Sequence, residues 1–181
     1  MGVPLRDPPL HNKDVERSVM ANLASRIQQH RLARGPARPE ILQRVFAAVP
    51  VPRDMREFYE LLGEGADLFD ETYRLLPADD ITRIDVGDPA RQWFTFCDVG
   101  DGNFVAFDAA SVRGRTCNVI DCFHETVHAP GQRAVIARSF DEFVARALDS
   151  RGELYWLEDG FVGYGRVSAN SVMQTGGHPK K

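Results

Sequence analysis

Apolar positions recur at helical spacing in the first third of the chain and at strand spacing in the middle. From Val15, apolar side chains fall every four residues at Val15, Val19, Leu23 and Ile27, a helical stripe ended by Gly35 and Pro36. Pro39 opens a second stripe, with Ile41, Leu42, Val45 and Phe46 on one face. Pro52 opens a third, with Met55, Phe58, Leu61 and Leu62 inward and Gly63 as its stop. Beyond Gly63 the period shortens. Six runs, YRLL, DITRI, QWFTFCD, NFVAFD, CNVIDCF and RAVIAR, are rich in aromatic or β-branched residues and separated by Gly, Asp or Pro. The short DVGDGN link between two of them is hairpin chemistry, with Gly100 and Gly102 supplying positive φ. A last helix starts at Ser139, carries Glu142 three residues on, and turns Phe140, Phe143, Val144, Ala147 and Leu148 inward.

These elements predict an α+β fold: N-terminal helices, a central, mainly antiparallel sheet of about five to six strands, and a C-terminal capped helix packed on the sheet. The expected organisation is an N-terminal arm and helical extension over 1–38, one domain over 39–157, and a partly flexible C-terminal extension over 158–181. The 181 residues suffice for one core of ordinary size. No apolar run approaches the ~20 residues that span a bilayer, and the opening MGVPLRDPPLHNKD lacks a secretory apolar region, so a cytoplasmic location is expected. Cys97, Cys117 and Cys122 form no C-x-x-C pair and read as buried apolar residues in a reducing compartment.

Charge is uneven. Residues 53–108 hold 14 acidic and 5 basic side chains, whereas the whole chain sums to only −4. That acidic middle argues against nucleic acid as a partner and suits a basic protein.

One motif suggests an enzyme. His124, Glu125 and His128 spell H-E-x-x-H, which binds zinc when a helix sets both imidazoles on one face beside the glutamate. Here CNVIDCF reads as a strand into the motif, and Pro130 and Gly131 stop any helix after it. A zinc hydrolase on these residues is the lesser alternative, and no cofactor or metal is expected. The pattern at 98–108 lacks the order of a calcium loop, and phosphate loops and nucleophile elbows are missing.

Read in order, the motifs resemble the SUKH superfamily, the Smi/Knr-like proteins. The resemblance rests on Pro52, Phe58, Tyr59 and Gly63; on Leu75, Leu76, Pro77 and Ile81; on Asp98, Gly100, Asp101, Phe107 and Asp108; on His124 and Glu125; and on Ile136, Ala137, Ser139, Phe140, Glu142 and Phe143. It covers roughly residues 39–157 and absorbs the His-Glu pair as a strand end. The helix from Val15 and the segment past Leu157 have no obvious place in the family core. The resemblance implies binding without catalysis: an immunity protein of a polymorphic toxin system that occludes a cognate, basic toxin, often a nuclease, or else a regulatory interaction module. The expected partner-binding residues are Asp98, Asp101, Asp108, Asp121 and Glu125, each of which could instead shape a turn or a sheet rim.

Overall fold

A computed structural model describes residues 22–23, 25–28, 38–62, 65–126 and 133–167. Val15, Val19, Gly63, His128 and the final residues from Ser168 lie outside these. Residues 22–23 and 25–28 are helical, and Leu23 and Ile27 are seated in the main core. Helix α1 spans Pro39–Ala48, with the proline in its first turn. Helix α2 spans Arg53–Leu62, and α3 spans Phe140–Asp149.

Between α2 and α3 runs a seven-stranded antiparallel sheet of β1 (Ala66–Leu68), β2 (Tyr73–Leu75), β3 (Thr82–Arg83), β4 (Trp93–Asp98), β5 (Phe104–Asp108), β6 (Thr116–Cys122) and β7 (Val135–Ser139). Strand order is β1-β2-β4-β5-β6-β7, with β3 paired to β4 off this path. Six strands coincide with the runs read from the sequence. The seventh, β1, follows Gly65, whose φ of +95° and an approach that would set a Cβ 2.3 Å from the Leu75 carbonyl oxygen admit only glycine.

Alternation along the strands sets two faces. Leu75, Cys97, Val105, Phe107 and Val119 look toward the helices; Trp93, Ala106, Ile120 and Cys122 look away into a smaller cluster with Val86. All three cysteines are buried, and burial pushes the Cys122 thiol up to about 12. On the helix side Phe96 lies 5.4 Å from Phe140 and 5.2 Å from Phe143 between ring centroids, while Phe58 meets Phe140 at 4.9 Å. Fully burying one such ring contributes about 1.5–3 kcal/mol, so this contact of β4, α2 and α3 helps hold helix to sheet.

Two local expectations need adjustment. Leu61 is 54% exposed and Tyr59 is fully buried in its place. Met55, Phe58, Tyr59 and Leu62 follow the i, i+3, i+4, i+7 spacing of a single face, from which residue 61 is rotated away. At the start of α3 the Ser139 hydroxyl accepts the Glu142 N–H as expected, but Glu142 Oε2 accepts the N–H of Arg138 at 2.8 Å rather than that of the cap residue. No helix among the described residues is long and apolar enough to cross a membrane.

Candidate partner-binding surface

The strand register decides which of the candidate residues meet. Asp98 pairs with Arg74 on one side and Phe104 on the other, and Phe104 pairs with Cys122. The end of β4, the start of β5, the end of β6 and the β1–β2 turn therefore share one end of the sheet. Asp98, Asp101 and Glu125 lie there together. Asp108 does not: it closes β5 opposite Trp93, four residues or ~13 Å away at strand spacing.

Local bonding then separates structural carboxylates from available ones. Asp98 Oδ1 accepts the Gly100 N–H at 2.8 Å and its other oxygen pairs with Arg74, so this side chain fixes the hairpin turn. The turn closes with Val99 and Asn103 N–H bonds of 3.0 and 2.8 Å, and holds Asp101 exposed at a φ of +51° between two positive-φ glycines. Asp108 caps a 3-10 turn by accepting the Ala110 N–H at 3.1 Å, and burial raises its pKa. Asp121 sits opposite Val105 on the helix-covered face. Burial pushes its carboxyl up to about 6, against hydrogen bonds from the Trp156 side chain and the Phe123 backbone.

The His-Glu pair lies in a turn after β6, closed by a 2.9 Å bond from the Thr126 N–H to the Phe123 carbonyl. His124 and Glu125 are exposed, and Asn103 Oδ1 ties the His124 backbone N–H at 3.1 Å and its Nδ1 at 2.8 Å to the β4–β5 turn. The described half of the H-E-x-x-H motif thus has no helix to set imidazole beside imidazole, and no group of three or more His, Cys, Asp or Glu among the described residues is placed to hold a metal.

Sequence reasoning missed Asp70 and Glu71. They occupy the β1–β2 turn, both exposed, in a run of left-handed residues with φ of 53°, 52° and 73° at Phe69, Asp70 and Glu71. Thr72 braces the run through its N–H and hydroxyl, both donated to the Phe69 carbonyl. Such backbone costs about 1–2 kcal/mol per non-glycine residue and persists only where the surroundings impose it. With Asp101 and Glu125, these residues put four exposed carboxylates on three adjacent turns. Among the described residues Arg74 stands beside this group, pairing with Asp98 and facing Glu71 as well.

A seven-stranded antiparallel sheet with helices on one face and, among the described residues, exposed turns at one end is a scaffold for presenting binding turns. The family model described as the SMI1 / KNR4 family (SUKH-1) matches residues 36–146, and the chain belongs to that family. It is 32% identical over 127 residues to immunity protein YokJ of Bacillus subtilis (strain 168), an alignment covering 64% of this chain and 75% of the relative. No solved structure matches the chain.

Proposed function

We propose that this chain is a non-enzymatic immunity protein that binds one cognate toxin and blocks it, acting in the cytoplasm without a cofactor. The observation that carries the reading beyond family membership is the acidic end of the sheet, where Asp70, Glu71, Asp101 and Glu125 are exposed on braced turns. A basic toxin surface meeting that end gains complementary charge, which speeds encounter and rejects wrong partners. Pre-ordered turns lower the entropy lost on association. A nuclease, whose substrate-binding surface is basic, is the toxin type this end suits best. Residues 39–157 form the shared domain in this account; 1–38 and 158–181 are additions to it, the first contributing Leu23 and Ile27 to the core.

The test is capture from the native host at low salt, identification of the captured protein by mass spectrometry, and expression of that protein alone and together with this chain. Growth arrest by the captured protein, relieved by co-expression, is the expected result. A captured protein that causes no arrest would replace immunity with a regulatory interaction.

A further inference from the structure

Among the described residues, the large apolar side chains with substantial exposure are Leu61, Leu157, Val162 and Tyr164, and three of these four fall within eight consecutive residues. Leu157 is 69% exposed and Val162 83%. The segment is held at both roots. Tyr155 and Trp156 are buried, and the Tyr155 hydroxyl donates to the Ile136 carbonyl at 3.2 Å. At the other root the Tyr164 N–H donates to the Val135 carbonyl at 2.9 Å, and the Val135 N–H donates to that of Gly165 at 3.0 Å. Between them a turn closes through the Phe161 N–H to the Glu158 carbonyl at 3.1 Å, while the Phe161 ring packs on Tyr155 at 5.6 Å. The Tyr164 hydroxyl donates to Glu142 and its ring lies 4.9 Å from the Arg138 guanidinium, so Leu157 and Val162 are the two apolar side chains that one braced tongue leaves uncovered, an interaction surface in search of an occupant.

Charge says which occupant. Beside the tongue is a groove of about 400 Å3 lined by Arg146, Asp149, Tyr155, Glu158, Asp159 and Phe161. Arg146 is committed, since it pairs with Glu142 at 2.8 Å and lies over the Tyr155 and Phe161 rings at 5.6 and 5.8 Å. Asp149 is engaged by Arg26 at 2.7 Å. The exposed Glu158 and Asp159 carboxylates make no side-chain hydrogen bond or ion pair within the described residues, which leaves the groove with uncompensated negative charge. The chemistry that fits is a lysine or arginine, its stem against Phe161 and its head at Glu158 and Asp159, flanked by aliphatic side chains that cover Leu157 and Val162.

Just ahead of the tongue the chain is tied toward the acidic end by the Tyr73 hydroxyl, which donates to the Glu153 carbonyl. The tongue lies past residue 146, where the family match stops. We infer that Leu157–Tyr164 is a second docking element for the same basic toxin, gripping an aliphatic-flanked cationic side chain and supplying selectivity that the shared domain does not. This rests on the toxin-binding reading above.

The test places a photo-crosslinking benzoylphenylalanine at Val162 in the full chain in its native host, with parallel chains carrying it at Glu125 and at Leu61. Crosslinking of the captured toxin from Val162 and not from Leu61 is the expected result. With that purified toxin, Leu157→Ser/Val162→Ser is expected to weaken binding about 30-fold, a hot-spot loss, and Glu158→Gln/Asp159→Asn to slow association several-fold, both at unchanged melting temperature. Crosslinking from Glu125 alone, with both double variants binding as wild type, overturns the tongue and leaves toxin binding intact. Val162 crosslinking to residues 168–181 of its own chain, or to a second copy, likewise overturns it. Failure of the wild-type chain to capture any toxin overturns the binding reading itself and the tongue with it.

Discussion

The two ends of the sheet carry similar numbers of carboxylates and treat them in opposite ways. At the closed end, Asp54, Glu57 and Asp141 are folded in. Asp54 is fully buried, its oxygens accepting the Met55 N–H at 2.9 Å and, from α3, the Asp141 N–H at 3.0 Å. Arg115 reaches Glu57 at 2.6 Å and Asp141 at 3.5 Å, and Arg53 closes on Glu57 at 2.9 Å. At the open end, Asp70, Glu71, Asp101 and Glu125 face water on turns. In the proposed function, carboxylates serve binding only where they are left over after the fold has used the rest. At the closed end they join α2 to α3, and their removal should cost stability; at the open end removal should cost partner binding alone.

The largest effect expected is at Arg115. Arg115→Ala removes the cation that ties Glu57 of α2 to Asp141 of α3, and should destabilise the fold by about 3 kcal/mol, measured by urea melts at pH 7.5.

The pH dependence of the same cluster comes next. Desolvation pushes the Asp54 carboxyl up to about 7, with Asp141 adding repulsion while the two backbone N–H donors and Arg115 oppose it. A carboxyl raised in the fold binds its proton more tightly there than in the unfolded chain, so stability falls as pH rises from about 4 to about 7 and levels off above. Between pH 5 and pH 8 the loss from Asp54 is about 2–3 kcal/mol. Asp54→Asn should remove that slope, at the cost of one backbone N–H bond that an amide cannot accept. Equal slopes in wild type and variant would contradict the assignment.

At the open end the effects on stability are smaller and reverse in sign. Glu71→Gly should relieve a left-handed residue and stabilise the fold by about 1 kcal/mol, seen as a raised denaturation midpoint. The fourfold change Asp70→Asn, Glu71→Gln, Asp101→Asn and Glu125→Gln should shift stability by less than about 0.5 kcal/mol.

How far the sequence carried this contrast depended on whether the signal was local. Helix α3 was legible because Ser139, Phe140, Phe143, Val144, Ala147 and Leu148 state a cap and a face within ten residues, and all five apolar positions are buried. The β4–β5 turn was legible from its glycines. Strand β1 was not: three residues ahead of a left-handed Phe-Asp-Glu run have no compositional mark, and missing β1 hid Asp70 and Glu71. Asp98, Asp101 and Glu125 share one end of the sheet because β4 and β6 both pair with β5, a register that no local signal states. Asp108 and Asp121 could not be separated from them without knowing that one caps a turn and the other meets Trp156. Asp54 reads as an ordinary first-turn acid, because its partner in α3 lies 87 residues away.

The claim that the open end faces a basic toxin is tested most directly by the association rate constant of the captured toxin, for wild type and the fourfold variant, at low and high salt. Fast, strongly salt-dependent association is expected for wild type, and slower association with a shallower salt dependence for the variant. Equal rates and equal salt dependence in the two proteins would contradict it.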